Sequence, residues 1–170
     1  MAIFFYGCMT LDGYLADKNH EINWLHEIGS VGETSYDAFY KEMDILIMGR
    51  KTYDEIKEMA DLDTFYGATK NYVLTHQKME NTDLFEFVSK DIVEFISTLP
   101  ADKNIWIVGG NSLIAPLLDN QLIDKMYLQL APVLLGDGIP LFTQKEDKQL
   151  FDLKEVKQYG QFAELVLVKK

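Results

Sequence analysis

The chain has 170 residues, 48% of them hydrophobic, and its 16 basic and 27 acidic side chains give a formal net charge of −11. This size is typical of one globular domain, so residues 1–170 are predicted to form a single domain with a substantial core. The negative charge repels phosphate backbones and anionic lipids, which argues against a nucleic-acid or membrane partner.

Cysteine and histidine usage restricts the chemistry further. The single cysteine, Cys8, has no partner in the chain for a disulfide. No segment approaches the length of a membrane span, and the apolar N-terminus lacks the basic region and cleavage site of a secretion signal. A cytoplasmic protein in a reducing compartment is therefore expected. His20, His26 and His76 lack the histidine or cysteine spacing of a zinc site, so no metal is predicted.

Hydrophobic periodicity alternates between that of buried strands and that of amphipathic helices. In chain order, the predicted elements are a strand over Ala2–Tyr6, a helix behind Thr34 with Tyr36, Phe39, Tyr40 and Met43 on one face, a strand over Asp44–Met48, a helix opened by a capping box of Thr52 and Glu55, a strand over Asn71–Thr75, a helix behind Ser89 with Ile92, Phe95, Ile96 and Leu99 on one face, a strand over Asn104–Val108, and an apolar helix over Leu113–Leu118.

This alternation predicts an α/β fold with a mostly parallel sheet and helices on both of its faces. The end of the chain differs, because Met126, Leu128 and Leu130 alternate with polar neighbours. Leu153–Tyr159 and Phe162–Lys169 flank Gly160 and are typical of a hairpin. Antiparallel strands are therefore predicted to finish the sheet.

The first candidate anion site follows the strand that ends at Met48. Gly49, Arg50, Lys51 and Thr52 lead from that strand into a helix, where main-chain N–H groups and the positive end of the helix dipole converge. The dipole disfavours two cations at a helix start, so an anion is expected to offset them. The structural alternative is a pair of solvated charges.

Two further strand ends carry groups that suit an anion. Gly109, Gly110, Asn111 and Ser112 precede an apolar helix that starts near Leu113, although paired glycines also mark plain tight turns. Pro116 requires that this helix begin near Ser112 or bend. The segment Thr75-His76-Gln77-Lys78 either reaches a phosphate or is a polar loop. Together the three strand ends predict a large phosphate-bearing ligand at the carboxyl edge of the sheet.

Several common functional motifs do not occur in the sequence. The Walker pattern and the G-x-G-x-x-G fingerprint are both missing, which argues against a P-loop enzyme and a dehydrogenase of the usual dinucleotide fold. No G-x-S-x-G nucleophile elbow occurs, so serine hydrolysis has no support.

Four segments carry a family resemblance that spans nearly the whole chain: Met9–Ala16, Met48–Tyr53, Val108–Gly110 and Ala131–Phe142. In this order they resemble the dihydrofolate reductase superfamily. Within it, the chain is similar to stand-alone bacterial forms of the reductase domain at the C-terminus of the riboflavin-biosynthesis protein RibD. The resemblance implies a three-layer α/β fold with a mixed eight-stranded sheet, NADPH as cofactor, and a homodimer by analogy.

Carried over by position, the resemblance predicts cofactor contacts in four parts of the chain. A mobile loop over the nicotinamide corresponds to Leu15 and Ala16, and the phosphate-binding strand end corresponds to Gly49, Arg50, Lys51 and Thr52. The adenosine 2′-phosphate region corresponds to Thr75 and His76. The pyrophosphate loop corresponds to Val108, Gly109, Gly110, Asn111, Ser112 and Leu113. Riboflavin-pathway reductases commonly carry an acidic residue where this chain has Val108, which is a departure from their pattern.

The resemblance predicts substrate contacts at Trp24 and Phe39, with a place in the core as the alternative for Trp24. Folate reductases carry a carboxylate on the first helix, for which Glu33 and Asp37 are the candidates, although Asp37 equally suits a capping box with Thr34. Asp12, beside the nicotinamide loop, is the other candidate catalytic residue. The proton required by the substrate comes from one of these carboxylates, from Tyr14 or from water.

The sequence therefore predicts hydride transfer from NADPH to a small pyrimidine-like or pterin-like heterocycle, as in 5-amino-6-(5-phosphoribosylamino)uracil reductases. Dihydrofolate reduction is the enzymatic alternative. A nucleotide-binding module without turnover is the alternative from another functional class.

Overall fold

A computed structural model describes residues 1–29, 34–145 and 148–170. Ten strands and six helices are defined in this part of the chain. The strands are β1 (Ala2–Thr10), β2 (Tyr14–Ala16), β3 (Ile45–Gly49), β4 (Lys70–Leu74), β5 (Phe85–Val88), β6 (Asn104–Gly109), β7 (Lys125–Ala131), β8 (Ile139–Pro140), β9 (Phe151–Tyr159) and β10 (Phe162–Lys169). The helices are α1 (Asn23–His26), α2 (Tyr36–Tyr40), α3 (Arg50–Ile56), α4 (Leu62–Tyr66), α5 (Ile92–Ser97) and α6 (Asn111–Asp119).

Eight strands form one sheet in the order β5-β4-β3-β6-β1-β7-β10-β9. The strands from β5 to β7 pair in parallel, whereas β10 pairs antiparallel with both β7 and β9. β2 and β8 form a separate antiparallel pair. The mixed, mostly parallel sheet and its C-terminal hairpin confirm the predicted fold class.

The sheet separates two hydrophobic clusters because successive side chains of a strand point to opposite faces. On one face, Phe5 and Ile107 pack in a cluster that includes the buried residues of α5 and α6. On the other face, Tyr6 and Trp106 pack in a cluster with the buried side chains of α2, α3 and α4. Helices therefore cover both faces, as the alternating periodicity predicts.

The starts of three helices differ from those predicted by sequence. α3 begins at Arg50 behind Gly49, so Thr52 lies inside the helix and the predicted capping box is wrong. α5 is capped by Asp91 rather than by Ser89: the Asp91 carboxylate accepts hydrogen bonds from the N–H groups of Val93 and Glu94.

The third helix whose start differs is α2. Its N-cap is Ser35, so the predicted capping box of Thr34 and Asp37 is also wrong. α6 begins at Asn111, as expected for a start near Ser112, and holds Pro116 in its interior. None of the helices in the described part of the chain has the length and apolar character of a membrane span.

Candidate functional site

A cavity of about 870 Å³ lies at the carboxyl ends of β3, β4 and β6. This volume is in the range of small-molecule and cofactor sites. Every residue that the sequence analysis assigns to the cofactor lines it, namely Leu15, Ala16, Gly49, Arg50, Lys51, Thr52, Thr75, His76, Val108, Gly109, Gly110, Asn111, Ser112 and Leu113. Segments up to 98 residues apart in sequence thus meet around one space, while their contact with a cofactor stays a prediction.

The cavity reaches a gap between two neighbouring strands of the sheet. β1 pairs with β6 only from Ala2 to Phe5, although it continues alongside β7 as far as Thr10. Beyond Phe5, Gly7 on β1 and the Val108–Gly110 segment line the cavity. The gap between the two strand ends therefore has room for a ligand between β1 and β6.

Two helices point uncapped N-termini at the cavity. α3 follows Gly49 and α6 follows Gly110, and neither has a side-chain cap or an acidic residue in its first turn. The first N–H groups of a helix have no partner within the helix, and they attract anions together with the helix dipole. The neighbouring helix α5 lacks this character because the carboxylate of Asp91 already caps it.

The glycine pair leaves open space at the start of α6. A Cβ atom on Gly109 or Gly110 would meet no atom within 4 Å. Gly109 has φ +136°, a conformation that favours glycine, whereas Gly110 has φ −83° and is not restricted to glycine by its backbone. The backbone is thus open to close approach by a ligand.

Arg50, the only arginine of the chain, lines the cavity and donates hydrogen bonds to the side chains of Asp54, Gln77 and Met79. Its Nε donates to Asp54 Oδ2 at 2.8 Å and its Nη1 donates to Gln77 Oε1 at 2.7 Å. The anion that the sequence predicts beside this cation is therefore supplied, at least in part, by Asp54 one turn along α3. The same contacts orient the guanidinium plane, which suits bidentate binding of a phosphate or carboxylate.

Charged cavity residues that the sequence analysis missed come from two segments. Lys90 precedes α5, and His20 extends from the loop after β2 so that its Nε2 lies 3.2 Å from Lys51 Nζ. Partial desolvation raises the pKa of the Glu55 carboxyl, while the charges of His20 and Lys51 oppose that shift. Arg50, Lys51 and Lys90 outnumber Glu55 and Asp91 around the cavity, against the negative charge of the whole chain.

Asp12 is exposed and joins two loops beside the cavity. Its carboxylate accepts hydrogen bonds from Thr10 Oγ1 at 2.6 Å and from the N–H groups of Gly136 at 2.7 Å and Leu135 at 3.3 Å. The hydrogen bond from Thr10 is the main cause of the lowered pKa of Asp12; desolvation opposes it, and the hydrogen bonds from the Gly136 and Leu135 N–H groups add to the lowering. Asp12 is therefore a stable carboxylate that ties the turn after β1 to the 133–138 loop.

The other predicted substrate and catalytic residues are not among the described residues that line the cavity. Trp24 is 7% exposed and packs against Ala131 and Phe162. Phe39 is 3% exposed and its ring lies 4.7 Å from that of Tyr6, in the aromatic cluster under α2. Asp37 is exposed on α2, and Glu33 lies outside the described residues. Their roles stay predictions.

Comparison with known proteins agrees with the fold and the motifs. The sequence model of the RibD C-terminal domain family matches residues 3–163. The uncharacterized protein YwjB of Bacillus subtilis (strain 168) is 33% identical over 167 residues, which cover 96% of this chain and 95% of YwjB.

Solved structures show the same similarity. A crystal structure from Shewanella sp. PV-4, whose name assigns it to riboflavin biosynthesis, superimposes with a TM-score of 0.88 and 27% identity over 100% of this chain and 99% of that one. RibD of Acinetobacter baumannii shares the fold with a TM-score of 0.73 and 18% identity, over 99% of this chain and 58% of its own. The chain belongs to the RibD C-terminal domain family.

Proposed function

We propose that this protein is an NADPH-dependent reductase that transfers a hydride to a small heterocycle of the pyrimidine or pterin type. The observation that carries the proposal is the pair of uncapped helix starts, behind Gly49 and Gly110, that open on one cavity beside the only arginine of an acidic chain. Such a site favours a ligand with several phosphate groups. NADPH, the cofactor typical of RibD reductases, meets this requirement and supplies a hydride when bound.

The described residues fit this cofactor. The open space at Gly109 and Gly110 allows a pyrophosphate to approach the main chain, with the first N–H groups of α6 as donors. Arg50 and Lys51 would hold phosphate charge at the start of α3. Lys90, on the same cavity wall as Thr75 and His76, adds a cation that suits the 2′-phosphate.

The chain contributes orientation and exclusion of water rather than a reactive group. The gap between β1 and β6 would hold a ring edge-on, in contact with Gly7 and Val108. Leu15 and Ala16 would cover that ring from the loop side, where apolar side chains keep water away from the transferring hydride. Asp12, as a tied carboxylate of lowered pKa, would position this loop, and the proton would come from Tyr14 or water.

Val108 bears on the substrate. Riboflavin-pathway reductases commonly place an acidic side chain before the glycine pair, and a valine at that position of the cavity wall supplies no carboxylate for a ribityl or ribosyl hydroxyl. We therefore propose a heterocycle without a large polyhydroxylated substituent as the substrate.

The test has two stages. First, millimolar NADPH is expected to raise the melting temperature of the purified protein, because a ligand that binds only the folded state stabilises it by mass action. NADH, lacking the 2′-phosphate, should give a smaller shift. Second, NADPH oxidation is followed with a panel of pyrimidines, dihydropterins and quinones. Binding without oxidation by any acceptor would indicate a nucleotide-binding module, and no thermal shift at all would reject the proposal.

A further inference from the structure

Glu164 on β10 is a buried carboxylate whose hydrogen bonds are all on one oxygen. The residue is 1% exposed, and its Oε2 accepts from Ser35 Oγ at 2.5 Å and from Gln129 Nε2 at 2.7 Å. Its Oε1 receives no hydrogen bond from residues 1–29, 34–145 or 148–170. Lys157 lies opposite on β9, but it pairs with Glu155 at 2.9 Å. Polar atoms of a buried residue are usually hydrogen-bonded, so the unpartnered oxygen is available to a ligand.

An orphaned donor lies on the same face of the sheet. The indole Nε1 of Trp24 is buried and has no hydrogen-bond partner in the described part of the chain. Trp24 packs against Phe162, which is two residues from Glu164 on β10 and therefore faces the same side. Among the residues that the structure describes, an acceptor without a donor and a donor without an acceptor thus share a stretch of sheet.

Cys8 connects this stretch of sheet to the neighbourhood of the cavity. Although β1 lies inside the sheet, Gly7, Cys8 and Met9 are only half-buried. Cys8 is in register with Gln129, which is in register with Glu164, so these three side chains share one face.

The neighbouring residue Gly7 lines the cavity, and the pairing of β1 with β6 has ended by this point. The row of Cys8, Gln129 and Glu164 therefore begins next to the cavity, at the gap between the strands.

We propose that Glu164 is a substrate-recognition residue that accepts an N–H hydrogen bond from the heterocycle on Oε1. This inference rests on the proposed reductase function and names the part of the substrate that is recognised. A site that offers one acceptor and one N–H donor complements a lactam, in which N–H and C=O are adjacent. Pyrimidinediones and pteridinediones carry that group, and quinones lack its N–H. The carboxylate that the sequence analysis sought on the first helix is supplied by the C-terminal hairpin.

The test compares two ligands that differ only at the lactam nitrogens. Lumazine (pteridine-2,4-dione) has N–H groups, and 1,3-dimethyllumazine has methyl groups in their place. Both are titrated calorimetrically into wild type, Glu164→Gln and the matched control Glu155→Gln, each with and without saturating NADP⁺. Glu155 lies on the same hairpin in an exposed ion pair with Lys157, so its substitution changes the net charge equally and leaves the Glu164 carboxylate in place.

Wild type and Glu155→Gln are expected to bind lumazine more tightly than the dimethyl compound. Glu164→Gln should lose about 10- to 150-fold of its lumazine affinity, the range for a hydrogen bond to a charged group, and keep its affinity for the dimethyl compound within about 3-fold. Because the result is a ratio of two ligands on one protein, partial destabilisation of the variant cancels.

Equal losses for both ligands would show that Glu164 has only a structural role, and this outcome would overturn the inference. So would unchanged lumazine affinity in Glu164→Gln, or no binding of lumazine to wild type at millimolar concentration. The titrations without NADP⁺ keep the two proposals separate. Selective loss of lumazine by Glu164→Gln in a protein that does not bind NADPH would support lactam recognition and reject the reductase.

Discussion

Replacing Gly110 by valine should separate ligand binding from folding. Gly110 has φ −83° and ψ −167°, a backbone conformation that valine adopts without strain, and its Cβ would meet no protein atom within 4 Å. The added side chain would instead fill the space in which a pyrophosphate approaches the start of α6. The perturbation therefore acts on the ligand and not on the core.

The expected magnitudes differ accordingly. Loss of one hydrogen bond between a main-chain N–H and a phosphate costs about 1.5–3 kcal/mol, which weakens NADPH binding about 10- to 150-fold. Stability should stay constant or rise by up to about 1 kcal/mol, because a side chain restricts the unfolded chain more than glycine does. For a protein of this size, that corresponds to a rise of at most about 4 °C in melting temperature.

Titration calorimetry with NADPH and thermal unfolding without ligand measure the two effects. Ala115→Val adds similar bulk in the same helix at a position outside the cavity lining and should leave NADPH affinity unchanged. Gly109→Ala is a contrasting variant, because φ +136° makes any side chain there strained and should lower both stability and affinity. Parallel losses of affinity and melting temperature in Gly110→Val would refute the reasoning and assign the glycine pair to a structural turn.

Three further variants test individual side chains. Arg50→Ala should weaken NADPH binding about 10- to 150-fold. It should lower stability by less than about 1 kcal/mol, because the lost ion pair between Arg50 and Asp54 is half-exposed. Undiminished affinity in calorimetry would show that Arg50 does not bind the cofactor. Asp12→Asn should reduce kcat more than NADPH affinity and speed amide exchange at Gly136. Because the pKa of Asp12 in the folded protein lies below 3.8, the stabilising contact is present above that pH and is lost as the pH falls further. The stabilities of wild type and variant should therefore converge in acid. Glu55→Gln removes an acid of raised pKa beside the cavity and should raise NADPH affinity about 2- to 5-fold at pH 8. The gain should be smaller at about pH 5, where the wild-type carboxyl is already becoming protonated. A ratio of variant to wild-type affinity that does not change with pH would contradict this.

The parallel strands and the cofactor segments were predictable because their signals are local. β3 and the part of β6 after Asn104 are continuous apolar runs, as expected of strands covered on both faces. In both places the strand ends in a glycine and a helix follows. This pattern can be recognised in the sequence without any information about distant contacts. Parallel pairing then brings the carboxyl ends of β3 and β6 together, so the two predicted anion sites line one cavity.

Helix starts were less predictable because several nearby residues can cap a helix equally well. Ser89 and Asp91 both suit an N-cap, and only the position of the chain over the sheet selects Asp91. At α3, the strand runs directly into the helix, so Gly49 occupies the N-cap and Thr52 is left inside. Arg50 illustrates a related limit, since its partner Gln77 belongs to a different strand end.

The sequence by itself determined the elements, their alternation and the residues suited to phosphate, because periodicity and the chemistry of helix starts depend on neighbours within a few positions. The tertiary structure alone decided which side chains share a site. Glu164 meets Ser35 across 129 positions of sequence and Gln129 across 35, through strand register and the packing of α2 on the sheet. Its acidic side chain between apolar neighbours of β10 has no local signal, because whether such a carboxylate is solvated or buried depends on what long-range packing places over it.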